Sequence, residues 1–222
     1  MRRTVVSAVA VLLLVSCGSA ADPDPEGPWT IVIVSDSFAL GSWPERWAAL
    51  IEEDLGVDVD LRNHQRSGFV DYEAVIDEPE VRADLAEADI VLIPPEADHL
   101  RRACGPDAGM ACVEPAAAEY AAAWGALLDE VREINPDARL RSAIAWAWVA
   151  PPGRRDGLRV FMEAAAEVTR QHGGVVVDVD PIMTGPNRDE EPPEGWTDEY
   201  GHFMRGGAQA VAEAFHAVGY DD

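Results

Sequence analysis

The chain contains no lysine. All 17 of its basic residues are arginine, set against 41 acids, for a formal net charge of -24. Phosphate backbones are bound by clustered positive charge, so this balance excludes nucleic acid as a partner and leaves no basic face for adhesion to anionic lipid. Cysteine is scarce, at three residues, and none of the five histidines has the spacing of a metal ligand set. No metal is expected. Long apolar runs are missing too: the stretch from Val5 to Val15 is too short to cross a bilayer as a permanent helix. There is no internal repeat and no second linker, so one domain is expected.

What the N-terminal stretch does contain is a positive start, Met1-Arg2-Arg3, the short apolar core, and small residues at Ser16-Cys17-Gly18. That order describes an export signal. Leu14-Val15-Ser16-Cys17 resembles the lipobox of bacterial lipoproteins, which implies that Cys17 becomes a lipidated first residue and that the protein sits in the cell envelope, anchored to the outer face of the membrane. A diacylglycerol-type anchor supplies more than one chain and holds stably. The other reading is an ordinary secretory signal with Cys17 removed or inert. Ser19 to Pro28 is rich in proline and acid without apolar periodicity and reads as an extended tether. The expected boundaries are therefore a signal over 1–17, a tether over 18–29 and one domain over 30–222. Two cysteines remain in the domain, Cys104 and Cys112. In an exported chain they suggest a disulfide closing a short loop; a metal site there would need more ligands than His99.

The domain opens with Thr30-Ile31-Val32-Ile33-Val34, a buried strand that ends abruptly at Ser35-Asp36-Ser37. Helical spacing resumes at Trp43-Pro44-Glu45. Later strands are expected at Val57–Leu61, Asp89–Ile93, Arg139–Val149 and Val175–Val179, with helices at Glu80–Glu87, Pro115–Ile134 and Arg159–Gln171. Trp146 and Trp148, two apart in an extended strand, would share a face; core packing is expected for Trp146, while Trp148 is open between core and a sugar-stacking role. Alternating strands and helices predict an α/β fold: a parallel sheet of five strands between two helical layers. A polar loop, Pro181 to Gly201, precedes the last helix and is long enough to suggest function.

A serine between strand and helix lies at the carboxyl edge of such a sheet, where α/β proteins place their chemistry. Taken alone, Ser37 is as well read as a turn or cap residue. Ser35-Asp36-Ser37-Phe38, however, resembles the first block of the GDSL, or SGNH, hydrolase family, with Ser35 where the family usually has glycine. Ser67-Gly68 resembles the second block, whose glycine N-H helps hold the oxyanion. Trp196 to Ala212 resembles the last block, where an aspartate stands three residues before the catalytic histidine. Here that position is Glu199, with Asp198 one further back, and the histidine is His202. The third block departs: Pro95, Ala97 and Asp98 stand where the family has glycine, asparagine and aspartate, and alanine has no amide to donate.

The resemblance implies a flavodoxin-like strand order, 2-1-3-4-5, and a serine esterase that needs no cofactor. Ser37 is the expected nucleophile, His202 the base, Asp198 or Glu199 the acid that orients it, and Ser37 and Gly68 the oxyanion donors; Asp36, Asp98 and His99 are candidate substrate contacts. A serine hydroxyl needs an imidazole to take its proton, and the imidazole a carboxylate to fix its tautomer. The expected substrate is an ester of a short acyl group, such as acetyl, on a carbohydrate or other extracellular molecule, and the expected state is a monomer. Ala97 motivates an alternative: a lipoprotein that keeps the fold, has weakened or no catalysis, and holds a glycan or lipid.

Overall fold

The computed structural model describes residues 27–105, 109–145, 147–150 and 152–220. The expected signal, Cys17 and most of the tether lie outside the described residues, as does Trp146. Trp29–Ser35 forms β1, in which Ile31 through Val34 are fully buried. A strand apolar on both faces belongs inside a parallel sheet. β1 accordingly pairs in parallel with β2 (Val59–Gln65) on one side and β3 (Ile90–Leu92) on the other. β4 (Arg139–Ile144) and β5 (Val175–Asp178) complete a five-stranded, all-parallel sheet in the order 2-1-3-4-5. The α/β class and the strand order are those expected. The order in which strands are added reverses between β1 and β3, which opens a crevice at the carboxyl ends of those two strands.

Helices cover both faces. α1 (Trp43–Leu55) starts with Pro44 in its first turn and stops at Gly56, whose φ of 68° is the left-handed conformation that glycine adopts without penalty. Trp43, Trp47 and Ile51 fall on one buried stripe of α1, and the two tryptophans pack on Phe215 of the last helix, with Trp43 and Phe215 stacked at 5.0 Å between centroids. Short α2 (Tyr72–Ile76) and α3 (Pro79–Glu87) follow β2, and α4 (Ala97–Cys104) follows β3. α5 (Met110–Ile134) packs along α6 (Pro152–Gln171). α7 (Asp180–Thr184) interrupts the polar loop after β5, and α8 (Arg205–Ala217) closes the domain. Cys104 and Cys112 form a disulfide that ties the end of α4 to the start of α5.

Several boundaries differ from those read in the sequence. β2 runs past Leu61 to Gln65, because it pairs with β1 along its whole length and, as an edge strand, can carry polar side chains outward. Arg62 binds Asp60, Asp84 and Glu87. His64 Nε2 lies 2.7 Å from Asp84 Oδ2, so it faces α3 and is held by a hydrogen bond there. β4 stops at Ile144, and Ala147–Val149 is a 3-10 turn, so Trp148 does not extend a strand and the shared-face argument for the two tryptophans fails. Trp148 is core: it is buried, and its indole N-H donates to the Gly201 carbonyl at 3.2 Å. α5 and α6 begin earlier than expected, at Met110 and Pro152, with Pro115 accommodated near the start of α5.

Candidate active site

Four connections meet at the carboxyl edge of the sheet. The first follows β1: Asp36 caps a single 3-10 turn, Ser37–Ala39, its carboxylate accepting from the Phe38 amide at 2.8 Å. That bond lifts Ser37 out of the strand while Phe38 turns into the core. The second follows β2, where Arg66 N donates to Ser35 O at 2.8 Å, so the Ser67-Gly68 turn begins beside Asp36-Ser37. Gly68 has a φ of 77°, and a Cβ there would meet nothing within 4 Å. Glycine is therefore required by the backbone conformation at this point, and crowding plays no part.

The third connection, after β3, carries Glu96, Ala97 and Asp98. Ala97 is the first residue of α4 and has no polar side-chain atom, so the departure seen in the sequence stands. Beside it, Glu96 is almost completely buried. Its Oε1 accepts from the Val70 amide at 3.0 Å, and its own amide donates to the Tyr120 hydroxyl at 3.0 Å. Tyr72, also buried, donates to Pro94 O at 2.7 Å. Glu96 thus fastens the loop that bears Gly68 to the turn after β3. Its Oε2 is buried without a hydrogen-bond partner among the described residues. Burial pushes the Glu96 carboxyl up to about 8; the Val70 amide opposes the rise, and the charges of Asp36 and Asp98 add to it. Burial likewise raises Asp36 to about 6, with the Phe38 amide opposing, Asp98 adding and His202 opposing. Both buried carboxyls therefore hold their protons to higher pH than a carboxyl in water, Glu96 more so than Asp36.

The fourth connection precedes α8. Asp198 folds it on itself: Oδ1 accepts from the amides of Tyr200 and His202, both at 2.9 Å, and Oδ2 lies 2.9 Å from His202 Nδ1. Although partial burial works the other way, the His202 ring and these amides hold Asp198 below the usual carboxylate range. Glu199, on the same turn, is exposed and makes no hydrogen bond to His202 among the described residues. Of the two acids proposed from the sequence, Asp198 reaches the ring and Glu199 does not. Close packing shapes this loop. Met204 N donates to Trp196 O at 2.7 Å, and a Cβ on Gly207 would stand 2.5 Å from that same oxygen. Only glycine lets the start of α8 come so near.

Phe203 carries the contact between the first and fourth connections. Its ring packs on Phe38 at 5.5 Å, and its carbonyl would lie 3.0 Å from a Cβ on Gly41. Ser37 and His202 are the chain neighbours of these two phenylalanines, and the charge of His202 is felt at Asp36. Among the described residues no direct hydrogen bond joins the Ser37 hydroxyl to the His202 ring; such bonds often tighten only around substrate. His99 is turned elsewhere. It lies against Tyr120 at 4.8 Å and Phe69 at 5.5 Å, in an aromatic cavity of about 230 Å³ that also contains Tyr72 and Trp124, and burial lowers its pKa, with Arg102 assisting. Asp36 is a buried cap, which removes it as a direct substrate contact; Asp98 stays half-exposed at a rim, paired with Arg101 at 2.6 Å. His172 and His216 lie at the ends of α6 and α8, His172 Nδ1 beside Val168 O and His216 beside the Tyr220 hydroxyl.

Sequence reasoning missed Glu96, Tyr72 and Tyr120, because an acid after a proline pair gives no sign of its burial. It also missed Arg155 and Arg159 of α6, which hold the long loop: Arg155 donates to Glu190 O at 2.9 Å and Arg159 to Arg188 O at 2.7 Å.

No family model matches the chain, and no curated protein matches it in sequence. Solved structures match its fold. A lipase from a goat rumen metagenome has a TM-score of 0.68 at 16% identity, covering 86% of this chain and 98% of its own. A putative GDSL-like lipase from Parabacteroides merdae has a TM-score of 0.66 at 15% identity, covering 88% and 97%. An acetyl-xylooligosaccharide esterase from Geobacillus has a TM-score of 0.63 at 15% identity, covering 86% and 94%. At these identities what is shared is the three-layer α/β fold.

Proposed function

We propose that the chain is an ester hydrolase of the SGNH, or GDSL, type, exported and held at the membrane by lipid on Cys17. The observation that carries the reading is the Asp198–His202 pair, at 2.9 Å, on a loop whose Phe203 packs against the neighbour of Ser37. Lipases and an esterase among the structures of like fold support it. In this mechanism Asp198 fixes the proton on His202 Nδ1, which leaves Nε2 to take the proton of the Ser37 hydroxyl. Ser37 attacks the acyl carbon, and the amides of Ser37 and Gly68 receive the developing oxyanion. His202 returns the proton to the departing alcohol, and water then attacks the acyl-enzyme with His202 again as base. All of these groups belong to the chain itself. The substrate is an acyl ester of a carbohydrate or other extracellular molecule, handled by a monomer.

Ala97 sets the limit on rate. One missing oxyanion donor typically costs about 2.7–4 kcal/mol, a hundred- to a thousandfold. It also favours a second reading, a lipoprotein that binds a glycan or lipid in this cleft without turning it over. A fluorophosphonate probe separates the two. Labelling of the wild type that vanishes in Ser37→Ala, together with hydrolysis of p-nitrophenyl acetate, is the expected result; an unlabelled protein with no ester turnover favours the binder.

A further inference from the structure

Gly68 stands exposed on its turn, and a side chain there would touch nothing, so the place of its amide is set from the two ends of the turn. One end is backbone: Arg66 N donates to Ser35 O at 2.8 Å, continuing the register of β1 and β2. The other is a side chain, Glu96, whose Oε1 takes the Val70 amide at 3.0 Å. Glu96 is itself held from behind. Its own amide donates to the Tyr120 hydroxyl, and the Tyr120 ring stacks on Phe161 of α6 at 4.5 Å. Between the ends, the Phe69 ring lies under the Arg102 guanidinium at 3.6 Å. The remaining oxygen, Glu96 Oε2, is buried and has no hydrogen-bond partner among the described residues. A charged carboxylate with one oxygen so placed carries a large desolvation cost, so Oε2 is where the proton sits.

Resting on the hydrolase reading above, we propose that Glu96 is the positioning residue of the oxyanion site: it holds the Gly68 turn through the Val70 amide and, while protonated, keeps negative charge out of that corner. Ala97, next to it, supplies no amide, so the backbone donors carry the oxyanion and their placement matters the more. The groups that face Glu96 decide when its proton leaves. Burial retains it and the Val70 amide works against that; Asp36 after β1 and Asp98 on α4 add to the retention, and Arg102 on α4 opposes it. The hydroxyls of Tyr72 on α2 and Tyr120 on α5, both raised by burial, stay neutral throughout. The balance puts the loss at about pH 8. Above it a second negative charge joins Asp36, one residue from Ser37, and opposes the charge that develops on the substrate oxygen.

The test is hydrolysis of p-nitrophenyl acetate from about pH 6 to about pH 9.5, corrected for the uncatalysed rate, over the range in which circular dichroism shows each protein folded. The wild-type kcat is expected to halve near pH 8 and to be about tenfold lower at pH 9 than at pH 7, with KM little changed, because the oxyanion exists only in the transition state. Glu96→Gln keeps an acceptor for the Val70 amide and has no proton to lose, so it is expected to remove the alkaline fall. Glu96→Ala strands that amide and is expected to lower kcat at pH 7 by about tenfold or more. A wild-type profile flat through pH 8, a fall that persists unchanged in Glu96→Gln, or a folded Glu96→Ala that turns over like the wild type overturns the proposal. The amide resonances of Gly68 and Val70 read the tether without turnover: both are expected to move with one midpoint near pH 8 in the wild type and to stay still in Glu96→Gln. Where they do so and no ester is cleaved, the hold on the turn stands and the hydrolase reading alone falls. Amides that ignore pH sink the tether even in an active enzyme.

Discussion

A carboxylate that selects one tautomer of an imidazole must reach Nδ1 and leave Nε2 open. At Asp198 the reach comes from a turn closed by Asp198 N to His202 O at 3.0 Å and Gly201 N to Asp198 O at 3.1 Å. The acid thus sits one position earlier than the family pattern and still meets the ring. Asp198→Asn is expected to lower kcat by roughly 10³–10⁴-fold, by favouring the wrong tautomer, while exposed Glu199→Gln leaves steady-state turnover close to wild type. Glu96 gives a prediction about stability. A carboxyl raised from 4.5 to about 8 by folding contributes stability that is fully present below pH 4.5 and is lost as pH rises through about 8. Glu96→Gln keeps an acceptor for the Val70 amide and carries no charge. Chemical denaturation from pH 4.5 to 8 is therefore expected to show the wild type losing stability relative to Glu96→Gln, by about 1.4 kcal/mol for each unit of the shift. Parallel curves for the two proteins would refute the neutral carboxyl.

Among the elements, α6 does the most to place the loop before α8. Arg159 Nε binds Asp180 Oδ2 at 3.1 Å, and Asp180, wholly buried, also accepts from the Ala147 amide. Removing one partner of a buried pair strands the other, so Arg159→Leu is expected to cost about 3–5 kcal/mol. Adding Asp180→Asn should recover a large part of that loss, and a double-mutant cycle in urea measures it. Elements of this kind mark how far the sequence could be read. β1 was legible because Ile31 to Val34 can only be a buried strand, and the block around Ser37 because a short polar run breaks it. The early starts of α5 and α6 were hidden by Pro115 and the Pro151-Pro152 pair, which look like breakers until tertiary packing decides otherwise. The burial of Glu96 and the choice of Asp198 over Glu199 depend on contacts between segments far apart in the chain, for which local pattern carries no signal.

For the molecule as a whole the governing quantity is charge. A net -24 with arginine as the only strong base leaves the folded chain under self-repulsion, which counter-ions relieve. Raising ionic strength from 0.01 to 0.15 M shortens the screening length from about 30 to about 8 Å. The melting temperature is expected to rise with it, by about 2–4 °C for each kcal/mol relieved; a flat or falling profile in sodium chloride would count against long-range repulsion as a main cost of folding.

The parallel sheet also sets a direction. Residues preceding Trp29 join β1 at the end remote from Ser37, and seven extended residues separate the two rims by about 23 Å. A domain suspended by lipid at Cys17 would hang from that far rim with its mouth turned outward, toward solutes drifting past the cell and away from the bilayer that holds it.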